Sequence, residues 1–182
     1  IKNISIKDKI IANPNCSTIL LCMVLFPLNQ IYNIKHLVIS TYQALSGAGK
    51  KGIDELHSQI NSFNHGYIIK QKHFKSQCLN NVFSHDSAIN PETGDNQEET
   101  KIINETRKIL DDQDIDISAT CIRIPVFRAH CESVNITFED EINLDLITNT
   151  LNRFPGVKIL DNKEDNKFPE PIIASNKDDI IV

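Results

Sequence analysis

The chain has 182 residues, 40% hydrophobic and 24% charged, with a formal net charge of −5 at pH 7. That length suits one domain with a real core, and the acidic balance excludes binding to nucleic acid or an anionic membrane through basic charge. Six Gly and seven Pro exclude collagen-like and Pro/Gly-rich disordered classes, and five cysteines without a Cys-x-x-Cys pair point to free thiols in a reducing, cytoplasmic setting, with no metal site.

Residues 9–12 read as a short buried strand. Asn13-Pro14-Asn15 is a turn signal, and a helix follows from Cys16. Residues 19–26 are apolar, so that helix is expected to be buried all round and to stop at Pro27. This longest apolar run is under half of the roughly 20 residues a membrane span needs. No basic segment followed by an apolar one opens the chain, so no signal peptide is read. Residue 1 is Ile rather than Met, and a fragment or processed product is the expectation.

Residues 36–42 are rich in β-branched and aromatic side chains and predict a strand. A tight turn at Ser46-Gly47-Ala48-Gly49 leads into a helix over 50–61, with Ile53, Leu56 and Ile60 on one face. Residues 62–84 show no order, and 91–99 read as an acidic solvent loop. The clearest amphipathic helix covers 98–110, with Ile102, Ile103, Thr106, Ile109 and Leu110 on one side. Strands are predicted over 117–127 and 131–138, the second alternating through Val134, Ile136 and Phe138. A helix over 143–154 ends at Pro155-Gly156. Short strands at 157–160 and 180–182 flank a charged loop. Helices mixed with strands around one core give an α/β or α+β domain.

Gly47, Gly49 and Gly52 satisfy G-x-G-x-x-G between a strand and a helix, the pattern of a dinucleotide site. Three features oppose that reading. Lys50 and Lys51 stand where close helix–sheet packing is wanted, no acidic residue follows about 20 residues on to hold a ribose, and the preceding strand carries Ser40-Thr41-Tyr42-Gln43. A tight turn lending backbone N–H groups to some ligand remains. Cys16 falls at a predicted helix N-terminus, where the dipole and unpaired N–H groups lower a thiol's pKa. Those groups and the Asn15 amide could hold an oxyanion. A small buried structural cysteine fits the same local sequence. Cys22, Cys78, Cys121 and Cys131 have weaker surroundings.

Four segments carry a family resemblance. Ile11-Ala-Asn-Pro-Asn-Cys16-Ser-Thr-Ile closely resembles the nucleophile motif of bacterial aspartate-semialdehyde dehydrogenases. Ser40-Thr-Tyr-Gln43-Ala-Leu-Ser46-Gly47-Ala-Gly49-Lys, Glu98-Glu-Thr-Lys101-Ile-Ile-Asn-Glu-Thr-Arg-Lys and Cys121-Ile-Arg123-Ile-Pro-Val-Phe-Arg-Ala-His130 resemble three more of its motifs, in the family's order.

The resemblance implies a set of roles. Cys16 would be the nucleophile and His130 the general acid/base. Gln43 would orient the substrate, Arg123 would grip its α-carboxylate, and Glu98 would receive its α-ammonium group. Lys101 would help bind inorganic phosphate, and Asn15 would support the oxyanion. Ser46 and Gly47 would lie near the nicotinamide of NADP. The implied reaction is NADPH-dependent reduction of L-4-aspartyl phosphate to L-aspartate 4-semialdehyde through a Cys thioester, feeding lysine, threonine and methionine synthesis.

The implied fold resembles the second domain of glyceraldehyde-3-phosphate dehydrogenase-like enzymes: a mixed, mostly antiparallel sheet with flanking helices. In the family this sheet and its helical insertion form most of a homodimer interface. Residues 1–182 would be the catalytic and dimerisation domain alone, without the family's N-terminal NADP-binding domain or C-terminal helix, and inactive by itself. Ala129-His130-Cys131 departs from the family's usual Gly-His-Ser, and Arg128 is also unusual there. Two alternatives stand: a related thiol enzyme such as an N-acetyl-glutamyl-phosphate reductase, and a truncated, non-catalytic dimerisation module.

Overall fold

The computed structural model describes residues 4–182. Helix α1 (Cys16–Asn29) starts where the Asn15 side chain accepts the N–H groups of Ser17 and Thr18, which the helix itself cannot satisfy. The chain continues through β1 (Ile34–Gln43), a single 3-10 turn (Leu45–Ala48), α2 (Gly49–Asn64), β2 (Phe83–Ser84), α3 (Gln97–Leu110), β3 (Asp116–Arg123) and β4 (Cys131–Phe138). Then come α4 (Leu144–Arg153), β5 (Val157–Lys158), α5 (Pro171–Ala174) and β6 (Ile180–Ile181).

Four strands form one sheet in the order β2-β3-β1-β4. β1 runs parallel to β3 and antiparallel to β4, and β2 is antiparallel to β3. The sheet is therefore mixed and mostly antiparallel. Helices α1 and α3 cover one face. Leu21 and Leu25 of α1 and Ile102 of α3 pack there on Leu37 and Ile39 of β1 and Ile117 of β3. The other face, from Val38 to Tyr42, carries Val38, Ser40 and Tyr42 flanked by Ser118, Thr120 and Ile122 of β3 and by Asn135, Ser133 and Cys131 of β4. None of these nine side chains is charged, and Val38 and Tyr42 are 41% and 39% exposed.

Several expectations are corrected. Residues 9–12 form no strand and are exposed; a strand needs a ladder partner, and no described strand pairs with them. Helix α1 is buried on one face only, since Cys16, Ile19 and Phe26 reach solvent. Pro27 lies inside it, so near the C-terminal end that the lost hydrogen bond does not stop the chain before Asn29. Strand β3 ends at Arg123 rather than 127. Pro125 has no N–H to donate, and the carbonyls of Val126 and Phe127 accept instead from the N–H groups of Leu45 and Ser46. Glu98 and Glu99 sit buried in the first turn of α3, not in a solvent loop, because Asn96 and Glu99 form a reciprocal capping box there.

A second core, Leu45, Leu56, Phe74 and Cys78, lies under α2. The unreadable stretch after α2 is folded by that helix's own buried side chains. Glu55 accepts the N–H groups of Lys72, His73 and Phe74, and Gln59 accepts those of Cys78 and Leu79. Gly52 is used for packing, since a β-carbon there would collide with the Leu45 carbonyl oxygen. Helix α4, with its N-cap Asn143 and its C-terminal limit before Pro155, follows expectation. The strand read over 157–160 shortens to Val157–Lys158.

Candidate active site

Gln43 and Arg123 are partners in the parallel register of β1 and β3, so their side chains emerge together at one end of the sheet. Gln43 is buried, and its amide is held at both ends. Its Oε1 accepts from Thr41 Oγ1 at 3.0 Å, and its Nε2 donates to Glu98 Oε1 at 3.1 Å. Asn15 Nδ2 donates to the same Glu98 oxygen at 2.8 Å. Lys101, one turn along α3, lies 3.5 Å from Glu98 Oε2. The Asn15 backbone N–H is held by Glu105 Oε2 at 2.7 Å. Asn15, Gln43, Glu98 and Lys101 thus form one network, with Cys16 next in the chain.

Burial pushes the Glu98 carboxyl up, but the hydrogen bonds from Asn15 and Gln43 and the field of Lys101 outweigh it and hold the pKa below the ordinary value. The thiol of Cys16 goes the other way from its sequence-based expectation. Its pKa is raised, first by the protein packed around it and then by the Glu98 carboxylate. The dipole of α1 does not overcome these, and the N–H groups of Ser17 and Thr18 are already occupied by the cap.

The fully buried Ala44 holds the His130 and Arg123 side chains through its own backbone. Its N–H donates to His130 Nδ1 at 3.0 Å, and its carbonyl accepts from Arg123 Nη1 at 3.0 Å. Burial, then the Arg123 field, lower the His130 pKa to about 4. The neutral ring, with Nδ1 accepting, carries its proton on Nε2. Gly47 lies against both groups: a β-carbon there would come within 3.0 Å of Arg123 Nη1 and 3.2 Å of His130 Cε1 and Nε2. Ser46 lines a groove with His130, Cys131 and Glu132.

Arg123 is 5% exposed. Among the described residues no carboxylate comes within 4.0 Å of it, and its Nε has no partner. A buried guanidinium without a counter-ion is costly and is suited to receive an anion bidentately.

All nine residues singled out from the sequence therefore gather at the C-terminal ends of β1 and β3 and the N-termini of α1 and α3. Sequence reasoning missed Ala44, whose role is carried by its backbone, and His85, which contacts Arg123 Nη2. It also missed the half-buried acid Glu132. No spacing marks any of the three. Ala129, where the family resemblance sets a glycine, has φ 69°, the left-handed region that glycine adopts freely.

The family model described as semialdehyde dehydrogenase, dimerisation domain, matches residues 25–182. A relative from Aquifex aeolicus named aspartate-semialdehyde dehydrogenase is 42% identical over 97% of this chain and 52% of its own length. One of the same name from Prochlorococcus marinus is 43% identical over 95% of this chain and 50% of its own length. Among solved structures, aspartate semialdehyde dehydrogenase II from Vibrio cholerae, complexed with ASA, superposes with a TM-score of 0.86 at 33% identity, covering 92% of this chain and 49% of that one. The chain spans about half the length of the relatives it matches.

Proposed function

Because the chain belongs to the semialdehyde dehydrogenase dimerisation-domain family, we propose that it is the catalytic and dimerisation part of an aspartate-semialdehyde dehydrogenase. The reaction is reduction of L-4-aspartyl phosphate to L-aspartate 4-semialdehyde, in a cytoplasmic amino-acid biosynthetic route. The observation that carries this reading is the buried, unpaired Arg123 guanidinium in one site with the buried Glu98 carboxylate. A zwitterionic amino acid needs one fixed cation and one fixed anion, and the site offers both.

The steps follow from the groups present. The Cys16 sulfur attacks the acyl carbon, the C–O bond to phosphate breaks, the thiol proton leaves with the departing phosphate, and a thioester forms. Arg123 holds the α-carboxylate and Glu98, steadied by Gln43 and Asn15, holds the α-ammonium. Lys101, half exposed and only loosely paired with Glu98, meets the phosphate. Ser46 and Gly47 would hold the nicotinamide end of NADP, the bare backbone of Gly47 lying beside His130. Bound there, NADPH would supply the hydride for reduction of the thioester. His130 Nε2–H faces the developing oxyanion as a donor, and the spare N–H of the Asn15 amide assists. Cleavage of the C–S bond then frees the aldehyde. The uncharged face of the sheet, from Val38 to Tyr42, is where a second copy docks to form a homodimer.

The test is phosphate-dependent reduction of NADP by aspartate semialdehyde, assayed on the native protein that contains these residues. Activity is expected, and Cys16→Ser should abolish it. Activity with N-acetyl-glutamate semialdehyde instead overturns the substrate assignment. Dimer formation with an unreactive Cys16 overturns the enzyme reading.

A further inference from the structure

We propose that His85 is a positioning residue that aims the Arg123 guanidinium as a neutral hydrogen-bond acceptor, leaving the positive charge free for the substrate. This rests on Arg123 as the carboxylate grip. Arg123 Nη2 lies 2.8 Å from His85 Nε2. A guanidinium has only donors, so Nε2 is the lone-pair nitrogen and the ring proton sits on Nδ1. Ser87 Oγ stands 3.2 Å from that Nδ1 and accepts it. The tautomer is therefore set from both sides.

Two neutral acceptors, His85 Nε2 and the Ala44 carbonyl, hold the two terminal nitrogens and so fix the guanidinium plane. A carboxylate in the place of His85 would orient Arg123 equally well. It would also neutralise the charge and compete with the incoming carboxylate. An imidazole orients without competing.

The groups facing His85 are Arg123 on β3, Glu98 and Lys101 on α3, Asp86 beside it and His130 before β4. Burial and the Arg123 charge favour the neutral ring, while Glu98 and Asp86 oppose them. A second proton, on Nε2, would set imidazolium against guanidinium, remove the acceptor and release Arg123.

The experiment uses the native protein and two aldehydes, aspartate semialdehyde and 3-aminopropanal, which lacks the α-carboxylate. His85→Ala is expected to raise KM for aspartate semialdehyde about 10-fold or more, the worth of one hydrogen bond to a charged group, with kcat nearly unchanged. KM for 3-aminopropanal should not move. His85→Gln, whose amide oxygen can accept the same N–H, should restore KM and abolish the acid-side rise in KM of the parent protein. If Arg123→Gln raises KM and His85→Ala does not, the proposal is overturned while the Arg123 reading stands. Equal changes for both aldehydes in His85→Ala and His85→Gln also overturn it, since a general structural role would do that. If Arg123→Gln leaves KM unchanged, both readings fail together.

Discussion

Asn15 ties the start of the helix that carries Cys16 to the Glu98 carboxylate through a 2.8 Å hydrogen bond. Cys16 is thereby kept near a negative charge, which raises its pKa after burial has already done so. Glu98→Gln removes that charge and keeps an oxygen for Asn15. The Cys16 pKa is expected to fall. Iodoacetamide labelling followed by mass spectrometry should show Cys16 reacting faster at neutral pH in the variant, with its pH midpoint moved down. A midpoint that stays or rises would exclude the Glu98 field as a cause.

Ala129 holds a left-handed backbone, φ 69°, directly before His130. A β-carbon is unfavourable there, so Ala129→Gly should stabilise the fold by about 1 kcal/mol. The midpoint of chemical denaturation should rise with an unchanged slope. A loss of stability would mean that the loop tolerates the alanine without strain.

Glu132 has a buried carboxyl oxygen without a partner, and burial pushes its pKa up to about 8. The unfolded chain gives up this proton near pH 4.3, roughly the ordinary glutamate value. With the folded value raised, the stability linked to this group is fully present below the unfolded pKa and is lost as pH rises through the folded one. Glu132→Gln should therefore match the parent protein near pH 4 and exceed it in urea midpoint at pH 8. Parallel profiles across that range would rule out Glu132 as the titrating group.

The uncharged sheet face centred on Ser40 gives the dimer proposal its own test. Ser40→Arg places a long cation amid Val38, Tyr42 and their neighbours. Burying it unpaired would cost several kcal/mol, so the dimer dissociation constant should rise by about 100-fold or more. Sedimentation equilibrium reads this directly. An unchanged dimer would put the interface elsewhere.

Much of this architecture is legible in the sequence where a periodic pattern coincides with local chemistry. Helix α3 shows its buried stripe, Ile102, Thr106 and Leu110, and β4 shows its alternation. The start of α1 at Cys16 is visible because Asn13-Pro14-Asn15 is a local turn signal. The segment after α2 is illegible for the opposite reason. Its shape is held by Glu55 and Gln59, whose side chains satisfy five backbone N–H groups from another element. Nothing within the segment encodes that. The Cys16 pKa is not legible because the dipole is a local feature, whereas burial and Glu98 arrive through tertiary structure. His85 and Ala44 are likewise significant only after β1 and β3 are paired.

That pairing sets how the chain can vary in length. Gln43 and Arg123 share a rung of the ladder, and side chains alternate faces along a strand. An insertion of one residue within β1 or β3 would turn one of the two toward the opposite face and separate Arg123 from the Gln43 amide that holds Glu98. Additions in the charged loop around residues 161–170 leave the rung intact and cost little in chain entropy. Divergence in this protein is therefore expected as loop length changes outside the ladder, with β1 and β3 keeping a constant residue count.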